Sequence, residues 1–196
     1  METTRLTAEH FKDGYFIGDR SLLNAGGHIE VAANLGWVTV PFLSAKGSIQ
    51  IKAGSGIEAG GDIEAGSGIE AGWGIKAGGG IEAGWDIKAG WDIEAGGGIE
   101  AGGDIEAGWG IEAGWSITCK TTLSAALRIF AGLCLWRLPT EAEQQIECGK
   151  LVKGEVCFGT LIETGLPDEP PAEAQSDASE VLVTMPDGKQ YRLVAV

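Results

Sequence analysis

The chain has 196 residues, 44% of them hydrophobic, which suits one folded domain or a capped solenoid. Its net charge is −14, from 28 acidic against 14 basic residues, and a surface of that sign repels nucleic acid and membranes while attracting a basic partner. The 33 glycines recur at fixed positions between isoleucines, so they read as repeated turns and not as a flexible tract.

The N-terminal stretch 1–18, "METTRLTAEHFKDGYFIG", lacks the basic start and apolar core of a signal peptide. No apolar run in the chain approaches the roughly 18 residues needed to span a bilayer, and the expected location is cytoplasmic. Short apolar clusters around Phe11, Tyr15 and Phe16 predict an N-terminal cap over residues 1–28.

A solenoid is predicted from 29 to 137. It opens with two irregular hexads, "IEVAAN" and "LGWVTV", set apart from the regular block by "PFLSAKGSIQ". Isoleucine then recurs every six residues from Ile51 to Ile117, giving eleven complete hexads over 51–116. Ile, Glu or Lys, and Ala alternate with the period of a short strand, Ile and Ala on one face and the charge on the other. Gly at the fourth place, and Gly, Asp or Ser mostly at the sixth, read as supplying the backbone freedom of a tight corner. A strand this short cannot bury its own apolar face, whereas stacked coils can.

Three hexads per coil place residues 18 apart above one another. The variable fifth position then sorts into columns: Ser55, Trp73, Trp91, Trp109; Gly61, Gly79, Gly97, Trp115; and Ser67, Trp85, Gly103. Stacked indoles give the first column a physical reason. The charged second position reads Lys52, Glu70, Lys88, Glu106 on a first face and Glu58, Lys76, Glu94, Glu112 on a second. A third face reads Glu64, Glu82, Glu100, with Asp86 and Asp104 at the corners that follow. Rungs about 4.8 Å apart make neighbouring carboxylates on that face repel by about 1 kcal/mol in water-like surroundings.

The register continues beyond the block, with Leu123, Ile129 and Leu135 in the isoleucine place and Cys119, Ala125 and Ala131 in the alanine place. About six coils are expected. Residues 138–164 read as further short strands forming a C-terminal cap, 165–179 as an acidic, proline-bearing linker, and 180–196 as a β-hairpin around Pro186-Asp187-Gly188. Such a hairpin is too small to be stable alone, so it needs a docking surface on this chain or on a second copy. The expected fold class is therefore all-β, a three-sided β-solenoid with terminal caps and a C-terminal hairpin. Cys119, Cys134, Cys148 and Cys157 show no CxxC pair and no neighbouring histidine, so they read as small core thiols; no metal site and no cofactor are expected.

The phrase "IEAGSG" at 63–68 resembles the hexapeptide repeat of left-handed β-helix proteins, whose best-known members are acyltransferases. Ile63, Glu64 and the small Ser67 carry the likeness. Most hexads depart at the fifth place, where Gly or Trp stands, so the resemblance covers period and Ile-Glu start and leaves handedness open. A Trp does not fit inside so narrow a triangle; tryptophans are expected at corners or outside, with Ala taking the second inward place. The resemblance implies a histidine in the coils as general base, yet the chain has only His10 and His28, both ahead of the regular block. No catalytic residues are therefore assigned.

Three readings follow. In the first, the protein is a non-catalytic acidic binder that imitates nucleic acid, resembling in concept the pentapeptide-repeat β-helices that mimic DNA and the acidic anti-CRISPR and anti-restriction proteins of phages. Its partner would be a basic, nucleic-acid-binding host protein or complex, with no direct contact to nucleic acid or membrane, and the chain itself could pair as a homodimer. The residues assigned to that surface are Glu64, Glu82, Glu100, Asp86 and Asp104, with Glu70, Glu94, Glu106 and Glu112 contributing less. The second reading is a self-assembling scaffold growing through unpaired ends. The third is a divergent hexapeptide-repeat acyltransferase.

Overall fold

The computed structural model describes residues 1–134 and 137–166, and the backbone of two further strands, Val181–Thr184 and Gln190–Leu193. It is an all-β parallel solenoid of about 8 turns, with about 18 residues per turn. At one rung per turn the rod is about 40 Å long. Among the described residues the only helices are single 3-10 turns at Ala8–His10, Arg20–Leu23 and Ala142–Gln144, and no helix is long and apolar enough to cross a membrane.

Each regular coil contributes three strands of three residues, one to each face. On the third face the register runs Ile63↔Ile81↔Ile99↔Ile117, and the first and second faces follow the same 18-residue step. Every isoleucine and alanine of these strands points inward, with no more than 8% of its surface exposed. Backbone hydrogen bonds continue through the corners. Gly84 donates to the Ala65 carbonyl at 2.9 Å, Trp85 to Ser67 at 3.3 Å, and Ile87 to Asp104 at 2.9 Å, so successive coils are joined around most of their circumference.

The fourth-place glycines have a different cause from the one expected. None of those between Gly60 and Gly114 takes a positive φ. A Cβ at Gly78, Gly84, Gly90, Gly96, Gly102, Gly108 or Gly114 would instead stand closer than 3.0 Å to the carbonyl oxygen of the glycine one coil earlier. The position is glycine because backbone lies directly over backbone, and not because the turn needs a left-handed residue. Sixth-place glycines are less crowded: a Cβ at Gly98 would lie 3.3 Å from the Ser116 carbonyl oxygen. Asp and Ser occur at that place for this reason.

The two long corners ahead of the regular coils do use positive φ, at Asn34, Gly36 and Gly54. These corners shift the register expected from the sequence. Ile51 pairs with Val31 and Ala71 and so holds the alanine place, with Ile49 in the isoleucine place beside Ile29 and Ile69. The first of the eleven hexads is therefore a longer corner, and Lys52 leaves the first-face column to Gln50. Upstream, Val38 takes the isoleucine place beside Ile57 in the position expected for Leu35. Ser55 ties the two long corners together: it is fully buried, and its hydroxyl accepts from the Leu35 amide at 3.0 Å and donates to the Ala32 carbonyl at 2.8 Å.

The solenoid is also longer than the six coils expected, because both flanks join it. Thr3–Leu6 pairs in parallel with His28–Val31, and Asn24–Ala25 pairs with the third face at Ser44 and Ala45. Tyr15–Phe16 continues the second face in parallel, with Tyr15 opposite Thr39, and Phe11–Lys12 pairs antiparallel with it; Phe11 and Phe16 pack against the core. Downstream, Thr122–Ala131 is one strand that bends across two faces, followed in parallel by Gln145–Cys148, Lys150–Phe158 and Thr160–Glu163. Leu123 and Ile129 hold the isoleucine place and Cys119, Ala125 and Ala131 the alanine place, as expected. Leu135, the 167–179 part of the linker and residue 180 of the expected hairpin lie outside the described residues. The hairpin is present as an antiparallel pair, Val181↔Leu193 to Thr184↔Gln190, and its expected turn lies outside them too.

The steric account of the fourth place makes a prediction. Gly96→Ala should cost about 1–3 kcal/mol, the range for forcing a methyl into a packed site, and lower Tm by several degrees, whereas Gly98→Ala should change it little. Equal melting temperatures for the two variants would refute the close-approach explanation.

Candidate functional site

The three charged columns form as the sequence predicts, apart from Lys52, and their surroundings differ. On the first face the register reads Arg5, Glu30, Gln50, Glu70, Lys88, Glu106, Ser124. Arg5 and Lys52 each stand 3.4 Å from Glu30, and Gln50 donates to Glu70 at 3.4 Å. Lys88 lies between Glu70 and Glu106, so this face neutralises itself.

The second face reads Thr39, Glu58, Lys76, Glu94, Glu112, Phe130. Lys76 reaches both carboxylate oxygens of Glu94 at 2.8 Å. Burial, followed by the charges of Glu94 and Asp92, pushes the Glu112 carboxyl upward, and Lys76 offsets only part of this. Repulsion on this face is thus partly relieved by one lysine.

The third face reads Asn24, Ser44, Glu64, Glu82, Glu100, Thr118, Glu147. Glu64, Glu82 and Glu100 are exposed on three consecutive rungs, and among the described residues none of them takes part in an ion pair. A shallow groove of about 240 Å³ runs beside them, lined also by Asp62, Trp115 and Thr118. Of the nine residues assigned from the sequence, these three form one continuous surface. Glu70 and Glu106 sit on the first face and Glu94 and Glu112 on the second.

Asp86 and Asp104 stand at the corner between the third and first faces, and their carboxylates are engaged. Asp86 Oδ1 accepts the Asp104 amide at 2.9 Å, and its Oδ2 lies 3.6 Å from Lys88 Nζ. Asp104 Oδ1 accepts the Thr122 amide at 2.8 Å and the hydroxyls of Thr121 and Thr122 at 2.5 and 2.6 Å. Asp62 and Asp92 do the same at the other two corners, accepting the amides of Gly80 at 2.7 Å and Gly110 at 2.9 Å. Sequence reasoning treated the sixth-place aspartates as corner residues or partner contacts and missed this clip. The signal for it was available: an acceptor at a corner stands one coil, 18 residues, from an amide that the strands leave free.

In the regular block Trp73, Trp85, Trp91, Trp109 and Trp115 lie at corners, outside the triangle, with alanine inward. Trp73 and Trp91 stack at 4.8 Å between ring centres with 5° between planes, and Trp91 and Trp109 at 5.6 Å and 10°. Trp37 meets the top of the stack at 6.5 Å, with Lys76 Nζ 5.5 Å above its ring. Trp85, alone at its corner, is 70% exposed.

Both histidines and two of the four cysteines have structural surroundings. His28 Nδ1 accepts the Ser48 amide at 3.0 Å and meets the Ser48 hydroxyl at 2.8 Å, and His10 Nδ1 accepts the Thr7 amide at 3.0 Å. Cys119 and Cys148 point inward on adjacent rungs; burial pushes their thiols up to about 12 and about 11. Cys134 is half-buried and Cys157 exposed. Among the described residues no three His, Cys, Asp or Glu side chains stand together as a metal site. Compared with protein-family models, curated proteins and solved structures, the chain finds no match.

The Asp104 clip sets a pH dependence. Burial raises its carboxyl, but the hydrogen bonds from Thr121 and Thr122 and the charge of Lys88 outweigh it and hold the group below its ordinary value. A carboxylate depressed in the folded state stabilises above its unfolded pKa, and that contribution is lost as pH falls through the folded value. Asp104→Asn should therefore melt below wild type at pH 7, with the gap closing below about pH 4. A gap that stays constant down to pH 2 would exclude the charge as its source.

Proposed function

We propose that this protein is a non-catalytic acidic binder that imitates a nucleic-acid backbone and occupies a basic, nucleic-acid-binding protein, in the manner of anti-CRISPR or anti-restriction inhibitors. The observation that carries this reading is linear charge density. The ten hexads from Ile57 to Ser116 hold twelve acidic and two basic side chains. Spread over about 3.3 coils at about 4.8 Å each, the ten net negative charges fall about one per 1.6 Å of rod axis. Duplex DNA carries one per about 1.7 Å.

Rigidity supports the same reading. Carboxylates on strands bonded above and below keep their spacing when a partner arrives, so little ordering entropy opposes binding. The third face is where an approaching cationic groove finds carboxylates free of internal partners: Glu64, Glu82 and Glu100. Lysine and arginine side chains inserted there gain ion pairs and also relieve the repulsion between rungs.

The test is capture from a host lysate followed by competition. Captured protein should be displaced by duplex DNA or RNA, and its affinity should fall at least about tenfold between 50 and 200 mM salt. The triple substitution E64Q/E82Q/E100Q should weaken capture about tenfold or more, whereas E70Q/E106Q, on the self-neutralised face, should weaken it less. A partner indifferent to nucleic acid and salt, or retained by the triple variant, would overturn the proposal.

A further inference from the structure

The two ends of the rod are finished differently. At the N-terminal end Leu6 and Leu23 are fully buried, and Phe11 and Phe16 pack against the core. At the C-terminal end the last strands, Lys150–Phe158 and Thr160–Glu163, carry Leu151, Val156 and Leu161 in the inward places below Leu123, Ile129 and Ile146. Equivalent residues in the regular coils are almost fully buried. Here Leu151 and Val156 are only half-buried and Leu161 is 37% exposed, with Val152 61% exposed beside them. Among the described residues nothing pairs with the outer edges of these strands. An apolar core section and two open strand edges thus face outward together.

We infer that the C-terminal hairpin, Val181–Thr184 with Gln190–Leu193, docks on this open end of its own coil and closes it. Three observations select this occupant. The hairpin forms a two-stranded sheet, and an isolated pair of strands is marginal in water without an apolar surface to cover. Its register sets Val181 opposite Leu193 and Val183 opposite Tyr191, alternating with Leu182 opposite Arg192 and Thr184 opposite Gln190, so one face is composed of apolar residues.

The third observation is where the chain leaves the coil. Thr164 and Gly165 donate to the Cys148 and Gly149 carbonyls at 2.8 and 3.0 Å, at the open end itself. Residues 167–180 then separate the coil from the hairpin, and 14 residues span about 20 Å even as a random coil. That reach fits a section of this rod, and a tether so short holds the hairpin at an effective concentration in the millimolar range. A second copy of the chain, at ordinary concentrations, competes poorly for the same surface. The proposal does not rest on nucleic-acid mimicry, and it bears on the scaffold reading: closing this end removes the edge from which end-to-end growth would start.

Hydrogen exchange on the full chain, with sedimentation velocity at rising concentration, tests it. In the wild type the hairpin amides and the outward amides of Thr160–Glu163 should both be protected, independently of concentration, in a monomer. Val183→Asp should release both sets by about tenfold or more while exchange in Ile81–Ala83 stays unchanged. Leu161→Ser should release the hairpin amides from the opposite side of the contact. Free exchange at Thr160–Glu163 in the wild type would overturn the inference. So would protection that grows with concentration alongside a dimer or longer assembly, which would assign the surface to a second copy.

Discussion

Backbone laid directly over backbone at the fourth hexad place is the constraint on which the rest of the rod depends. With no room for a Cβ between consecutive glycines, the amide of each can reach the alanine carbonyl of the coil before, as Gly78 reaches Ala59 at 2.8 Å. That contact keeps the corner at the same rise as the strands. The corners then stack as closely as the strands do, and even three-residue strands form continuous parallel sheets. A side chain at this place would splay the coils at every corner it occupied, and the inward isoleucines, which fill the core rung upon rung, would lose contact with those above and below.

Much of this was legible in the sequence, because a period of six with apolar first and third places leaves few alternatives. The three faces, the inward alanines, the outward tryptophans and the unbroken Glu64–Glu82–Glu100 column all follow from counting by 18. Counting fails where the corners change length. Ile51 is apolar and fits either inward place, so nothing in its identity reveals that it stands in the alanine column. Val38 and Leu35 pose the same ambiguity. The role of glycine was also hidden, since a close approach between coils and a left-handed turn call for the same residue. The aspartate clips, by contrast, were within reach of the same count, since each corner aspartate accepts the amide 18 residues on. The outer coils were missed because they have lost the repeat and keep only its pairing.

A rod of near-identical coils has to forbid displacement by one whole coil, since that shift preserves almost every inward residue of the regular block. The features that forbid it lie outside the isoleucine and alanine columns. Ser55 bridges two long corners that occur once. Four tryptophans meet in sequence from Trp37 to Trp109. Asp104 finds two hydroxyls and an amide only beneath it, at Thr121 and Thr122. The variable letters of the repeat therefore carry the register that the constant letters cannot.

Seen this way, the outward residues divide into those the fold uses and those it does not. The corner aspartates bind amides, the stacked indoles bury one another, and Lys76 and Lys88 sit among glutamates on the first and second faces. Glu64, Glu82 and Glu100 do none of this. They select no register, bond to no corner and repel one another across two rungs, at about 1 kcal/mol per neighbouring pair in water-like surroundings. A serine, threonine or glutamine in their place would hold the same strand, as Ser44, Thr118 and Gln50 do in equivalent positions. Solubility does not require this arrangement either, because exchanging one of these glutamates with Lys76 or Lys88 would leave the net charge the same. Folding and solubility thus account for an acidic rod, but not for the concentration of unrelieved charge along one of its faces, which is what the proposed cationic partner would use.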